Sequence, residues 1–257
     1  MKKLYKYLLN TLPRPLLIRL SYVFRVFAPL VYKGNKVDCP VCEKSFKKFL
    51  SYGSNVAHRD NVLCPYDLTL ERHRLMWVYL KDKSNFFTEE KLKVMHIAPE
   101  QCFYSKFKKQ NNLEYTTGDL LSPLADIHFD LHKIPLEDNQ YDVIFCNHVL
   151  EHVEDDHKVM TEFYRVMKPG GWGIFQVPID TKNPKTEEDK SITDPKERER
   201  LYWQDDHLRL YGLDYGKKLA AAGFEVTESN FINELDPKLV ERYALPKGEI
   251  LYFCQKK

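Results

Sequence analysis

The sequence predicts an α/β protein: a doubly wound, mostly parallel seven-stranded sheet behind a small cysteine-rich module. Three observations lead there. Short apolar runs alternate with helical segments from Lys91 onward. Polar residues recur at the ends of those runs. Ahead of Lys91, two Cys-Pro turns repeat the same spacing.

The 257 residues suffice for one such domain and an appendage. With 43% apolar and 30% charged residues, the composition is that of a soluble globular protein. A net charge of +2 lacks the basic excess expected for nucleic-acid binding. The distribution of charge is more informative. Residues 1–37 hold no Asp or Glu, whereas Lys2, Lys3, Lys6, Arg14, Arg19, Arg25, Lys33 and Lys36 are basic. Arg14, Arg19 and Arg25 interrupt the apolar run, and no small-residue cleavage site follows, unlike a signal peptide. The same charges exclude a bilayer span. A basic amphipathic segment of this kind packs its apolar face on the main domain, or rests through residues 1–33 on the inner face of an anionic membrane. A nucleic-acid arm is a third use. Six unevenly spaced Cys suit a reducing cytoplasm better than a disulfide framework.

The module spans 38–80. "DCPVCEKSF" and "NVLCPYDLTLERHRL" pair Cys39 with Cys42 and Cys64 with Asp67. Two Cys-Pro-x-ligand turns resemble the knuckles of a structural zinc site, since Zn²⁺ takes thiolates in a tetrahedral set of four. His58 and His73 are alternatives to Asp67 as the fourth ligand. Two other readings stand beside it: a decayed site whose cysteines act as small apolar residues, and a redox-active Cys39/Cys42 pair. "ERHRLMWVYL" (71–80) has helical spacing and leads into the main domain at 91–257.

In that domain, "LKVMHIA" (92–98) reads as a buried strand, followed by strands at 114–118 and 126–130. "YDVIFCNHV" (141–149), rich in β-branched and aromatic residues, is the strongest. Val159, Phe163, Val166 and Met167 recur at helical spacing over 154–167, and "KPGG" (168–171) supplies the stop. Strand 172–178, helix 214–224 ending at Gly223, and strands 225–231 and 249–255 complete the set. Ligands of such sheets sit beyond the carboxyl ends of the strands. His96, Glu100, Asp119, Asp130, Asn147 and His148 all fall there. Asp119 lies nineteen residues after Glu100 at a strand end, where a carboxylate can accept the hydroxyls of a ribose.

Residues 130–178 make the pattern specific. Asp130, Ile134-Pro135-Leu136, Tyr141-Asp142-Val143 and Met167-Lys168-Pro169-Gly170-Gly171 resemble the signature of class I S-adenosylmethionine-dependent methyltransferases, which have a Rossmann-like fold. The Cys module, "HIAPE" and "SITDPKERERLYWQDDHLRLYG" (191–212) together resemble a bacterial subfamily with a short zinc-like N-terminal element. The resemblance implies that S-adenosylmethionine binds with Asp119, beside Leu120, on its ribose. Asp130 would meet the adenine amino group, with the Leu131 backbone beside the ring. Asn147 and His148 would line the floor near the methionine part. The departure is "HIAPE". His96 replaces the family's acidic residue, Ala98 and Glu100 replace two glycines, and Cys102 replaces the third. This cofactor has no phosphates to cradle, so glycine serves only close backbone approach, which Ala98 also permits. Glu100 is then placed to meet the cofactor's ammonium or sulfonium.

These residues point to methyl transfer onto a small-molecule or glycan acceptor, with His148 and then His207 as candidate bases. His152 and His157 read as solvated or capping groups. Residues 180–212, charged and without apolar periodicity, read as a substrate lid. The competing readings are an RNA methyltransferase and a methyltransferase-like binding module that lacks the cofactor. No glycine fingerprint follows the first strand, which argues against a nicotinamide dehydrogenase.

Overall fold

The computed structural model describes residues 12–53 and 58–257. In chain order its first elements are α1 (Arg14–Val31), β1 (Lys33–Cys39), β2 (Lys44–Phe46), β3 (Leu50–Tyr52), β4 (Arg59–Leu63) and α2 (Glu71–Lys83). There follow β5 (Leu92–Ile97), α3 (Gln101–Phe107), β6 (Leu113–Asp119), β7 (Ile127–His128), β8 (Tyr141–Asn147), α4 (Asp156–Val166) and β9 (Met167–Gln176). The last are β10 (Glu187–Glu188), α5 (Pro195–Tyr202), β11 (Arg209–Leu210), α6 (Tyr215–Ala221), β12 (Glu225–Ser229), α7 (Pro237–Arg242) and β13 (Leu251–Gln255).

The chain divides into two units. The first comprises the chain up to Val78 together with Leu235–Lys247; the second comprises Tyr79–Glu234 and Gly248–Lys257. The sequence division, which gave all of 91–257 to the main domain, is corrected here for residues 235–247. The physical reason is a buried cation. Arg74, fully buried, donates to the carbonyls of Val62 (2.8 Å), Thr69 (2.9 Å), Tyr243 (2.6 Å) and Ala244 (2.9 Å). Its guanidinium lies 4.2 Å from the Phe49 ring centroid. Arg242 adds an ion pair to Asp38 at 2.6 Å.

Within the first unit, β1 pairs with β2 and β3 with β4, both antiparallel. In α1, Ala28 is buried, while Leu20, Val23, Val26, Phe27, Leu30 and Val31 are exposed. Arg25 Nε donates to the Tyr66 carbonyl at 2.6 Å. Lys2, Lys3 and Lys6 of the basic segment lie outside the described residues. Among the described residues no helix is long and apolar enough to cross a membrane.

The second unit carries a seven-stranded sheet in the order β12-β13-β9-β8-β5-β6-β7. β5 pairs in parallel with β6 and β8; the β6–β7 and β8–β9 pairs are parallel as well. Only β13 runs antiparallel to its neighbours. Central strands covered on both faces need near-continuous apolar sequence. Accordingly Val94, Met95 and Ile97 of β5 and Val143, Ile144, Phe145 and Cys146 of β8 are buried.

Helix α4 opens on Asp155, whose Oδ1 accepts from Lys158 N at 2.9 Å. It closes before the glycines expected to stop it. Met167 is already extended (φ −75°, ψ 138°), and Lys168, preceding a proline, is disfavoured in the helical region. Gly170, at φ +80°, instead lies in the bulge between β8 and β9. At Gly118 a Cβ would come within 2.6 Å of the Phe129 ring, so this strand end requires glycine. Residues 180–212 fold as α5 between the short antiparallel strands β10 and β11.

Replacing Arg74 with methionine takes the side-chain donor from the carbonyls of Val62, Tyr243 and Ala244 and leaves Thr69 O with the Cys64 amide alone. The expected loss is about 3–5 kcal/mol of stability, read by urea denaturation. A loss below about 1 kcal/mol would show that the carbonyls find other donors.

Candidate functional site

The parallel strands β5, β6 and β8 end on one edge of the sheet. There the chain makes two left-handed turns at non-glycine residues: Ala98 at φ +47° and His148 at φ +56°. Such backbone is disfavoured for L-residues and clusters at functional sites. Ala98 thus occupies the conformation for which a glycine would be the default. Each turn is pinned from a neighbouring strand. Ala98 N donates to Gly118 O (2.8 Å) and His148 N to Gln176 O (2.7 Å).

Behind the edge runs a polar network. His96, expected at the ligand edge, is fully buried within this network. Its Nδ1 pairs with the Tyr115 hydroxyl at 2.7 Å and its Nε2 with Glu100 Oε2. Burial pushes the Tyr115 hydroxyl up, so it keeps its proton and donates it to Nδ1. His96 then donates from Nε2 to Glu100. The other Glu100 oxygen accepts from Asn147 Nδ2 at 3.0 Å. His96 positions Glu100, and Glu100 reaches the edge with its side chain 15% exposed.

Asp119 Oδ1 accepts from the amides of Leu121 and Ser122, both at 2.7 Å. Among the described residues Oδ2 takes no hydrogen bond and remains available as an acceptor. Leu120 and Leu121 beside it are exposed, 61% and 82%. Asp130 Oδ1 is held by the amide and ring of His132, which keep its carboxyl below the usual range. Leu131 is buried in the core.

A second cluster adjoins this edge. Glu151 is 1% exposed, and potential ligand atoms of Glu151, His152 and His207 lie within 4.8 Å of one another. His148 Nδ1 is 3.4 Å from Glu151 Oε1. The turn that carries Glu151 and His152 is held by buried Arg209, which donates to Leu150 O (2.7 Å), Glu154 O (3.1 Å) and Glu188 (2.9 Å). Leu208 N donates to Glu151 O at 2.8 Å. The structure therefore brings together His148 and His207, the two expected bases. It adds Glu151 and His152, which sequence reasoning missed or set aside as capping. His157 lies in the first turn of α4 and is exposed.

In the first unit, ligand atoms of Cys39, Cys42, Cys64 and Asp67 also lie within 4.8 Å of one another. The two turns match in backbone. Glu43 (φ +58°) donates its N–H to Cys39 O at 2.8 Å, and Leu68 (φ +62°) donates to Cys64 O at 3.1 Å. Burial pushes the Asp67 carboxyl up to about 6. His58 pairs instead with Asp60 at 3.4 Å, and His73 Nδ1 accepts from Leu70 N at 3.1 Å.

Residues 84–175 match the family model described as a methyltransferase domain. The match takes in β5 to β8 and most of β9 of the sheet described above. The chain is similar, at 30% identity over 134 residues (52% of this chain), to a glycine/sarcosine/dimethylglycine N-methyltransferase of Actinopolyspora halophila. It is 40% identical over 55 residues (21% of this chain) to a ubiquinone/menaquinone biosynthesis C-methyltransferase, UbiE, of Desulfotalea psychrophila. These matches span 22% and 21% of the two relatives' own lengths. A solved S-adenosylmethionine-dependent methyltransferase from Aquifex aeolicus aligns at 16% identity and TM-score 0.41, covering 65% of this chain and 83% of that one.

The left-handed turn at Ala98 is open to a direct check. Ala98→Gly should hold stability within about 0.5 kcal/mol, whereas Ala98→Val, β-branched at positive φ, should lose about 1–3 kcal/mol. Equal melting of the two variants would refute the strained turn.

Proposed function

We propose that this chain is an S-adenosylmethionine-dependent methyltransferase acting on an oxygen or nitrogen of a small-molecule or glycan acceptor. One observation carries the reading: the edge where Ala98 and His148 turn left-handed also presents Glu100, Asp119 Oδ2 and Asp130. The residues fit the cofactor. Asp119 accepts from the ribose, and exposed Leu120 offers an apolar surface to the adenine. Asp130, with Leu131, meets the adenine amino group. Ala98 admits the backbone closely, and Asn147 holds Glu100 toward the charged methionine part. The cofactor supplies an electrophilic methyl group. The chain's own part is to orient the acceptor and take its proton.

His148 Nε2 suits that proton transfer, being buried and, among the described residues, without a hydrogen-bond partner. The β10–α5–β11 segment serves as the lid over the acceptor. The relatives are named for N- and C-methylation, so their names do not choose the acceptor atom. α1 supports work at a membrane surface: Leu20, Val23, Val26, Phe27, Leu30 and Val31 are exposed along it, and Arg14 and Arg19 lie on the same helix.

In the first unit, Cys39, Cys42, Cys64 and Asp67 fit a structural Zn²⁺. The support is the chemistry of the donor set and the matched turns. Protein purified without a histidine tag should hold about one zinc per chain, and Asp67→Ala should lose it on dialysis. Clearly sub-stoichiometric zinc in the wild type would end this assignment.

Titration calorimetry with S-adenosylhomocysteine tests the main reading. Binding is expected, with Asp119→Asn weakening it about tenfold or more and Glu100→Gln weakening it too. No heat at millimolar ligand would favour the cofactor-free binding module. Unchanged affinity in Glu100→Gln would remove Glu100 from the cofactor site.

A further inference from the structure

We propose that Glu151, His152 and His207 form a divalent transition-metal centre that holds an acceptor hydroxyl beside His148. The metal centre stands on geometry alone, and the acceptor assignment rests on the methyltransferase reading above.

Glu151 has almost no solvent exposure, yet among the described residues neither carboxylate oxygen has a hydrogen-bond partner. A lone buried carboxylate costs several kcal/mol unless a cation compensates it. Its nearest polar neighbour is His148 Nδ1, 3.4 Å from Oε1, so both oxygens are left for a cation.

His207, fully buried, donates from Nδ1 to the Tyr202 carbonyl at 2.7 Å. A carbonyl only accepts, so Nε2 bears the lone pair. That atom is buried and without a partner among the described residues. This is how ligating histidines are oriented, with the remote nitrogen fixed by an acceptor behind it. His152 has a comparable support in Asp206, whose Oδ2 lies 3.3 Å from Nδ1. The His152 and His207 rings meet edge to face, with centroids 4.7 Å apart.

Ion–ligand distances near 2.1 Å bring ligands to roughly 3–3.5 Å from one another. The present spacing of up to 4.8 Å closes to that by small rotations, which the partly exposed His152 ring can supply. Two imidazoles and one carboxylate leave further coordination positions open, and an acceptor hydroxyl fills one. Its proton passes to His148 Nε2. The oxygen forms the new bond to the methyl carbon of the sulfonium donor. The carbon–sulfur bond breaks, and its electron pair stays on sulfur, leaving a neutral thioether.

Mn²⁺ is the probe, because a nitrogen–oxygen set accepts it and free Mn²⁺ is read by electron paramagnetic resonance. Zinc binds both sets more tightly than Mn²⁺, so the full-length protein is given a single equivalent of zinc, which the thiolate cluster takes first, before it is titrated with Mn²⁺. One saturable site per chain is expected. Glu151→Gln, and the less intrusive His152→Ala, should each weaken it at least tenfold with an unchanged circular dichroism spectrum. S-adenosylhomocysteine affinity should stay the same. If Glu151→Gln does not fold, His152→Ala decides. Absence of saturable Mn²⁺ uptake, or wild-type Mn²⁺ affinity in His152→Ala, overturns the centre. Loss of S-adenosylhomocysteine binding in the wild type would sink the methyltransferase reading and leave the metal centre standing. Equal turnover of hydroxyl acceptors by wild type and His152→Ala overturns the acceptor role.

Discussion

Parallel pairing of β5 with β6 and β8 is the constraint on which the site depends. Because the three strands run the same way, their carboxyl ends share one edge. The registers that pair Ile97 with Gly118 and with Cys146 put Ala98, Asp119 and Asn147 within one step of each other along it. A parallel sheet must be buried on both faces, so strand interiors are spent on apolar contacts. Chemistry is left to the residues just beyond the last ladder bonds. A slip of one residue would move Val94 and Val143 to the opposite face of the sheet and put the polar strand ends out of step with one another.

The polar groups at that edge fall into two kinds, and their environments separate them. His96, Tyr115, Glu100 and Asn147 form a connected chain of hydrogen bonds behind the surface. A satisfied network in low dielectric is stiff, which suits positioning. The group around Glu151 is the reverse. Its carboxylate, the Nε2 of His207 and the Nε2 of His148 all lack partners among the described residues. The turn that carries Glu151 is nevertheless clamped by Arg209 through three carbonyls. Rigid backbone under unsatisfied side chains is costly unless a ligand completes it.

Much of this was legible from residues alone. The seven strands follow from apolar runs bounded by turn residues, and the edge follows from polar residues at their ends. The two Cys-Pro turns already placed Cys39, Cys42, Cys64 and Asp67 together, because equal local spacing gives equal turns. What failed to show depended on non-local partners. His152 precedes a helix and so reads as a solvated or capping group, and Glu151 beside it carries no local signal; only the return of Leu208 against Glu151 O reveals their neighbour. His96 looked ligand-facing because position in a strand does not tell which side chain a neighbouring Tyr115 will claim. Residues 235–247 carry a short helix like many others. Their membership in the first unit rests on Arg74, whose partners are carbonyls and leave no trace in side-chain identity.

Two glutamates, Glu100 and Glu151, show how environment assigns roles to one side chain. Both stand near the end of β5 or β8, and both touch histidine. Glu100 accepts from His96 on one oxygen and from Asn147 on the other, so its charge is shared with neutral donors. It retains 15% exposure, enough to meet a cation without a further ligand shell. Glu151 has His148 at 3.4 Å and essentially no water. The His148 ring at that distance leaves both oxygens without directed bonds. One ring cannot serve both as counter-ion to Glu151 and as acceptor of a substrate proton. A divalent ion resolves the conflict, because it supplies the positive charge to Glu151 and leaves His148 Nε2 for the acceptor.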